Sequence, residues 1–313
     1  LKEIHEQPRV VRDTLVGRMT PAGELDIDEL GLSLEELNDI DRVYVIACGT
    51  SYHAGLIAKN LIEGWARIPT EVEAASEFRY RNPIITPTTL VVAVSQSGET
   101  ADTLAAIRDA RIKGAKVFGI TNVVGSPVAR ESDGVIYTKA NKEIAVASTK
   151  SFIGQVVSLT LLALLLAQVK YRLTTKQARM LFRELSDTAE QIQWILDTQT
   201  DAVHEAALLC KDAQSALFVG RGMGAAISYE GALKLKEVSY LHAEAYAAGE
   251  MKHGPIALID EGFPVVAIAT KSPVYDKVVS NLQESRARGA CIIAVATEGD
   301  EEIAKHEIGR AHV

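Results

Sequence analysis

The sequence predicts an α/β protein made of two tandem, doubly wound parallel-sheet domains, each with three αβα layers. Short apolar runs alternate with helical stretches along the chain, which is typical of βαβ units. The whole pattern also occurs twice, because Gly49 and Gly114 of the first half recur as Gly222 and Gly289 at an offset of about 174 residues. A chain of 313 residues is long enough for two such domains.

Composition and charge narrow the class of protein. Hydrophobic residues make up 47% and charged residues 24%, which is ordinary for a folded soluble protein and excludes a disordered one. The formal net charge is −8 and no basic block occurs, so we expect no nucleic-acid partner. Cys48, Cys210 and Cys291 form neither a disulfide framework nor a metal-binding pair, and the histidines form no metal-binding motif. We therefore expect no metal. The first residues are charged and begin no signal peptide, so we also expect a cytoplasmic protein.

The chain begins with a polar helical segment, residues 1–40, which Pro8, Pro21 and Gly31 divide into short pieces. The first α/β domain is predicted at residues 41–169, with a helix after each of its first two strands. Its predicted strands are Val43–Ala47, Leu90–Val94, Val117–Thr121 and Gly134–Tyr137.

The last helix of this domain, Ser151–Val169, carries no charge and is close to the minimum length of a membrane span. It also contains Gln155, Ser158 and Gln168, which are unfavourable in lipid. We therefore predict a helix buried in the protein core and expect no membrane association.

Residues 170–214 have helical periodicity and are predicted to form a connector. The second domain, residues 215–313, repeats the first. Its predicted strands are Ala216–Val219, Pro264–Ala269 and Gly289–Val295. By comparison with the first half, a further strand is expected to begin at about Ala311, so the second copy is predicted to lack its final strand and helix.

Hydroxyl-rich segments at three predicted helix starts in the first domain indicate a ligand site. Parallel sheets bind ligands beyond the carboxyl ends of their strands, and helix N-termini offer free N–H groups to a phosphate. The alternative is that the hydroxyls only cap helices. Three such segments in one domain favour a phosphate ester site. Its candidate binding residues are Cys48, Gly49, Thr50, Ser51, Ser95, Gln96, Ser97, Thr100, Val146, Ala147 and Ser148.

The second domain carries charged candidates instead. Glu230, Lys234 and Glu237 lie on one stripe of a predicted helix, which is either an exposed salt-bridge ladder or a catalytic group. Small residues and glycines then lead to His253, which we expect on a tight loop. Residues 220–225 also fit the pattern G-x-G-x-x-A with Glu244 beyond it, so a nucleotide-dependent dehydrogenase is a competing interpretation.

Five ordered motifs resemble the glutamine–fructose-6-phosphate aminotransferase family, in the half that consists of two sugar isomerase (SIS) domains of flavodoxin-like type. They are CGTS (48–51), SQSGET (95–100), VASTK (146–150), EGALKLKE (230–237) and HAEAYAAGEMKHGP (242–255). The resemblance implies that the first three bind the phosphosugar. It implies that Glu237 moves a proton between carbons 1 and 2, that Lys234 assists at the carbon 2 oxygen, and that His253 of a neighbouring subunit opens the sugar ring.

The resemblance also implies a homodimer that needs no cofactor and takes part in hexosamine synthesis. The family draws ammonia from a glutaminase domain and ends in a lysine-bearing tail, and neither is found in this sequence. We therefore expect weak activity from the chain alone. A phosphosugar-binding SIS module without catalysis is the main alternative, and the presence of both Glu237 and His253 favours the enzyme.

Overall fold

The computed structural model describes residues 1–27, 29–305 and 309–312. Contacts divide the chain into two compact units, Leu1–Glu190 and Gln191–Val313. The boundary falls inside a long helix, α9 (Thr175–Thr198), which belongs to the segment expected to connect the two domains. The narrower domain limits given above stay predictions.

Unit 1 is built on a six-stranded sheet in the order β1-β6-β5-β4-β2-β3. The strands are β1 (Glu29–Leu30), β2 (Arg42–Ala47), β3 (Thr70–Ala74), β4 (Thr89–Ser95), β5 (Lys116–Thr121) and β6 (Gly134–Tyr137). The short edge strand β1 pairs antiparallel with β6, and every other pair is parallel. The five parallel strands follow the flavodoxin-like order, which confirms the predicted fold class.

Helices on both faces cover this sheet. They are α1 (Lys2–His5), α2 (Gln7–Leu15), α3 (Leu34–Asp39), α4 (Thr50–Leu61), α5 (Ala75–Phe78), α6 (Ala101–Ile112), α7 (Pro127–Glu131) and α8 (Lys150–Val169). On one face, α6 packs against the sheet in a core that includes Tyr44, Phe78 and Ile107. On the other, α8 packs against α2 and α4.

Helix α8 is the segment whose composition would also suit a membrane. It is long and apolar enough to cross one, with a mean hydropathy of 2.1, but 72% of its most apolar window is buried inside the protein. Its buried residues include Gln155 and Ser158 as well as its leucines. Burial of most of the helix by protein is typical of a core helix.

Unit 2 repeats the same topology. Its strands β7 (Ser215–Gly220), β8 (His242–Ala247), β9 (Pro264–Ala269), β10 (Cys291–Ala296) and β11 (Gly309–His312) form a parallel sheet in the order β11-β10-β9-β7-β8. Its helices include α10 (Thr200–Cys210), α11 (Met223–Ser239) and α12 (Tyr275–Arg286). The second doubly wound domain is thereby confirmed.

Strand β11 corrects one prediction. It begins at Gly309, two residues before the expected start, and pairs in parallel with β10 from Ile293 onwards. The final strand is therefore present in unit 2. The prediction was wrong because Gly309–His312 contains an arginine and a histidine and lacks an apolar run.

Candidate functional site

The first candidate segment lies in unit 1 at the turn from β2 into α4. Gly49 caps α4 with φ 54° and ψ −129°, a conformation that glycine adopts readily. Gly49 has no side chain to occupy the helix N-terminus, while Ser51 in the first turn is buried and Cys48 is half-buried. The start of α4 therefore presents backbone N–H groups beside a hydroxyl, which suits an anion.

The second segment is the loop from β4 into α6. The Ser95 hydroxyl oxygen accepts a hydrogen bond from the Gly98 N–H at 3.1 Å and lies 2.9 Å from the Thr100 hydroxyl. The Ser97 hydroxyl accepts from the Glu99 N–H at 3.2 Å. Gly98 has φ 66°, and a Cβ there would overlap the Ser126 side chain. The loop is thus held in a tight curve lined with hydroxyls.

The third segment, residues 142–149, precedes α8, and we call it the 142–149 loop. Val146 is 95% exposed. The Glu143 carboxylate accepts hydrogen bonds from the Ser148 hydroxyl at 3.0 Å and from the N–H groups of Thr149 and Ser151 at 3.0 and 3.2 Å. A carboxylate therefore occupies the N-terminus of α8. Glu143 carries no local signal in the sequence, because it lies seven residues before α8 and only the folded loop brings its carboxylate to the helix N-terminus.

These segments share one edge of the sheet. Strands β2 and β4 are parallel neighbours, so their carboxyl ends release Cys48–Ser51 and Ser95–Thr100 on the same side. The 142–149 loop follows β6, another parallel strand of the sheet, and α8 packs against α4. The three segments begin α4, α6 and α8, as the sequence predicted.

The charged stripe lies in unit 2, on α11. Lys234 Nζ is 3.3 Å from Glu230 Oε1 and 2.5 Å from Glu237 Oε2, so one ammonium group bridges two carboxylates. The Glu230 side chain is only 7% exposed, whereas those of Lys234 and Glu237 are 22% and 29% exposed. Glu237 is the more accessible carboxylate of the two, which a group that meets a substrate requires.

His253 lies at the end of a 3₁₀ helix, Ala248–His253, and is exposed. The sequence predicted a tight loop at His253, whereas the structure has this 3₁₀ helix there, preceded by the edge strand β8. Small residues serve close packing here, because a Cβ on Gly249 would lie 2.8 Å from an Arg221 nitrogen. Ala248 and Met251 are buried and fix this 3₁₀ helix on the unit 2 core.

The geometry does not favour a dinucleotide site. A ribose-binding carboxylate stands at the carboxyl end of the second strand. Glu244 instead pairs with Leu217 inside β8, three residues before the strand ends at Ala247. Its carboxylate accepts a hydrogen bond from the Tyr246 hydroxyl at 2.5 Å, and this bond raises the pKa of Tyr246.

Metal-binding chemistry finds no support in the described residues. Across residues 1–27, 29–305 and 309–312, no group of three or more His, Cys, Asp or Glu side chains could hold a metal ion.

Comparison with known proteins adds the family. The model of the SIS domain matches residues 36–165 and 209–311. The glutamine–fructose-6-phosphate aminotransferase (isomerizing) of Symbiobacterium thermophilum is 53% identical over 98% of this chain and 50% of its own length. That of Corynebacterium diphtheriae is 52% identical over 96% of this chain and 49% of its own length. This chain spans about half the length of these relatives.

Solved structures with the same fold are also found. The C-terminal domain of glucosamine-fructose-6-phosphate aminotransferase from Francisella tularensis has a TM-score of 0.93 and 39% identity, covering 99% of this chain and 87% of that one. Tagatose-6-phosphate ketose/aldose isomerase from Escherichia coli, at 20% identity and a TM-score of 0.74, shares the fold over 100% of this chain and 84% of that one.

Proposed function

The chain belongs to the SIS-domain family, among the isomerase halves of glutamine–fructose-6-phosphate aminotransferases, and on that premise we propose that it binds fructose 6-phosphate and carries out the isomerase step towards glucosamine 6-phosphate. One observation carries the proposal: three hydroxyl-bearing helix starts at one sheet edge of unit 1. In this proposal the ammonia comes from a glutaminase domain, which the remaining half of the relatives' length would supply.

Phosphosugar binding is assigned to unit 1. The N–H groups at the starts of α4 and α6 offer the positive ends of helix dipoles to a phosphate, and serine and threonine hydroxyls add donors. Neutral donors of this kind can bind an anion although the formal net charge of the chain is −8. The assigned residues are Cys48, Gly49, Thr50, Ser51, Ser95, Gln96, Ser97, Thr100, Val146, Ala147 and Ser148.

Proton transfer is assigned to α11 of unit 2. Converting a ketose imine to an aldose requires a base that removes a proton from carbon 1 and returns it to carbon 2, and the Glu237 carboxylate has the right chemistry and exposure. In fructose 6-phosphate itself, Lys234, 2.5 Å from that carboxylate, would donate to the carbon 2 oxygen as negative charge develops on it. In the imine a nitrogen stands at carbon 2 and would take that role. Glu230 would hold Lys234 in place from the buried side.

Ring opening is assigned to His253. Imidazole titrates near neutral pH and can both give and accept a proton, and the exposed end of a 3₁₀ helix leaves this side chain accessible. We propose that it acts in the site of a second copy of the chain in a cytoplasmic homodimer, as the family resemblance implies.

The test combines binding and turnover. The chain is titrated with fructose 6-phosphate and separately with NAD, and the melting temperature is followed. A ligand at a hundred times its dissociation constant stabilises a protein by about 2.7 kcal/mol. We expect stabilisation by the sugar phosphate only, together with slow formation of glucose 6-phosphate in a coupled assay. Binding without turnover would instead indicate a phosphosugar-sensing module, and no binding would refute the proposal.

A further inference from the structure

The 142–149 loop is held by carboxylates from the N-terminal helices as well as by its own Glu143. The Glu3 carboxylate accepts a hydrogen bond from the Ile144 N–H at 2.7 Å and from the Ala145 N–H at 3.2 Å. These two amides belong to no helix or strand. An acceptor more than 140 residues away in sequence therefore satisfies them.

A second contact fixes the other end of the loop. Lys150 Nζ donates to Glu6 Oε2 at 2.6 Å and to the Lys142 backbone oxygen at 2.8 Å. The Lys150 side chain is only 3% exposed. Removing one partner of a buried ion pair leaves the other charge without compensation, which is strongly unfavourable. The hydrogen bond from Lys150 in turn lowers the pKa of Glu6.

Between these two contacts lie Val146, Ala147 and Ser148. Their backbone has no strand partner, so its shape depends on Glu143 inside the loop and on the contacts of Glu3 and of the Glu6–Lys150 pair at its ends. A loop that must order itself on binding loses affinity, whereas one held in its bound shape does not.

We propose that Glu3 and Glu6 are positioning residues of the phosphosugar site: they do not touch the sugar but hold the 142–149 loop in the shape that binds it. This rests on the proposed function. The N-terminal segment that carries Glu3 and Glu6 then contributes to sugar binding by unit 1, because it holds this loop in place.

The test compares Glu3→Ala, Glu3→Gln and a control, Glu184→Ala, in the full chain. Glu184 is an exposed glutamate of α9 in the same unit. We expect Glu3→Ala to weaken fructose 6-phosphate binding in calorimetry and to raise KM, each about tenfold, with kcat little changed, because the loss is one of binding alone. Glu3→Gln keeps an acceptor oxygen and should restore affinity to within about twofold of the unchanged chain.

Hydrogen exchange gives a readout that needs no ligand. The Ile144 and Ala145 amides should exchange faster in Glu3→Ala and not in Glu184→Ala. Glu6→Gln provides a second variant, expected to raise KM in the same direction. Unchanged affinity in Glu3→Ala, beside normal binding by the unchanged chain, would overturn the inference alone. A fall in kcat with KM unchanged would also overturn it, whereas no binding by the unchanged chain would overturn the proposed function as well.

Discussion

The two units share a backbone but differ in what that backbone presents. Gly49 of unit 1 has φ 54° and ψ −129°, and Gly222 of unit 2 has φ 57° and ψ −125°, each capping the helix after the first strand of its repeat. In unit 1 the next residues are Thr50 and Ser51, whereas in unit 2 they are Met223 and Gly224. The repeated fold thus creates two equivalent helix starts that differ in their side chains, and hydroxyls follow the glycine directly only in unit 1.

The next loop shows the same contrast. In unit 1 the turn from β4 to α6 carries the hydroxyls of Ser95, Ser97 and Thr100. At the matching edge of unit 2, Tyr275 and Asp300 are buried, and the Asp300 carboxylate accepts from the N–H groups of Glu302 and Ile303. Burial is the main cause that raises the pKa of Tyr275. Buried tyrosine and carboxylate side chains thus lie at this edge of unit 2, where unit 1 has serine and threonine hydroxyls.

The sheet faces differ as well. In unit 1 the face towards α8 is fully buried, as Val45, Val92, Phe118 and Ile120 show. The matching residues of unit 2 line a groove of about 690 Å³ between α10 and α11. They are Phe218, Val266, Ile293 and Val295. Unit 2 thus carries an open apolar face where unit 1 carries its most apolar helix.

The largest effect on turnover is expected from Glu237 in unit 2, because it is assigned to proton transfer while phosphosugar binding is assigned to unit 1. Glu237→Gln removes the proposed base but keeps the shape of the side chain. We expect kcat for fructose 6-phosphate isomerisation to fall by about 10²–10⁴-fold, a typical contribution of general acid–base catalysis. Calorimetric affinity for the sugar should change little. A variant that keeps its turnover would remove Glu237 from the mechanism.

A smaller effect is expected from the hydroxyls of unit 1. Ser97→Ala combined with Thr100→Ala should weaken fructose 6-phosphate binding by about 1.5–3 kcal/mol for each lost hydrogen bond to the charged phosphate. The matched control is Ser272→Ala, in the corresponding loop of unit 2, where we expect no change. Equal losses in both loops, measured by calorimetry, would contradict the assignment of the phosphate to unit 1.

The paired glycines test the shared backbone directly. Gly49→Ala and Gly222→Ala meet no neighbouring atom within 4 Å, so each should destabilise through backbone strain alone, by about 1–3 kcal/mol. Denaturant unfolding should show similar losses for both variants. Only Gly49→Ala should also weaken sugar binding, because only that helix start is assigned to the phosphate. Weaker binding in Gly222→Ala would show that the two edges are not divided as proposed.

Much of the fold could be predicted from the sequence, because the central strands are continuous apolar runs. The edge strands could not. Thr70–Ala74 contains two glutamates and His242–Ala247 contains one, since one side of an edge strand meets solvent. The pairing of these strands depends on the neighbouring strand and not on their own hydrophobicity.

The candidate site was predicted as positions along the chain but not as contacts. Helix starts and the Glu230–Lys234–Glu237 stripe follow from local spacing, and the structure places them accordingly. The contacts of Glu3 and Glu6 with the 142–149 loop could not be predicted, because nothing local in the sequence reports a hydrogen bond across more than 140 residues.

The smallest effect concerns acid stability, and it should be confined to unit 1. Hydrogen bonds from Lys116 and from Ser33 lower the pKa of Glu36 to about 2, so this carboxylate ties α3 to β5. A carboxylate with a depressed pKa stabilises the folded state fully above the ordinary value of 4.5, and that contribution is lost as the pH falls towards 2.

Glu36→Gln can still cap α3 but carries no charge. Each unit holds one tryptophan, Trp65 or Trp194, so fluorescence can follow them separately. The Trp65 melting temperature of Glu36→Gln should lie slightly below that of the unchanged chain at pH 6 and converge with it near pH 2, while the Trp194 signal stays the same. A difference that is constant from pH 6 to pH 2 would show that the charge of Glu36 contributes nothing.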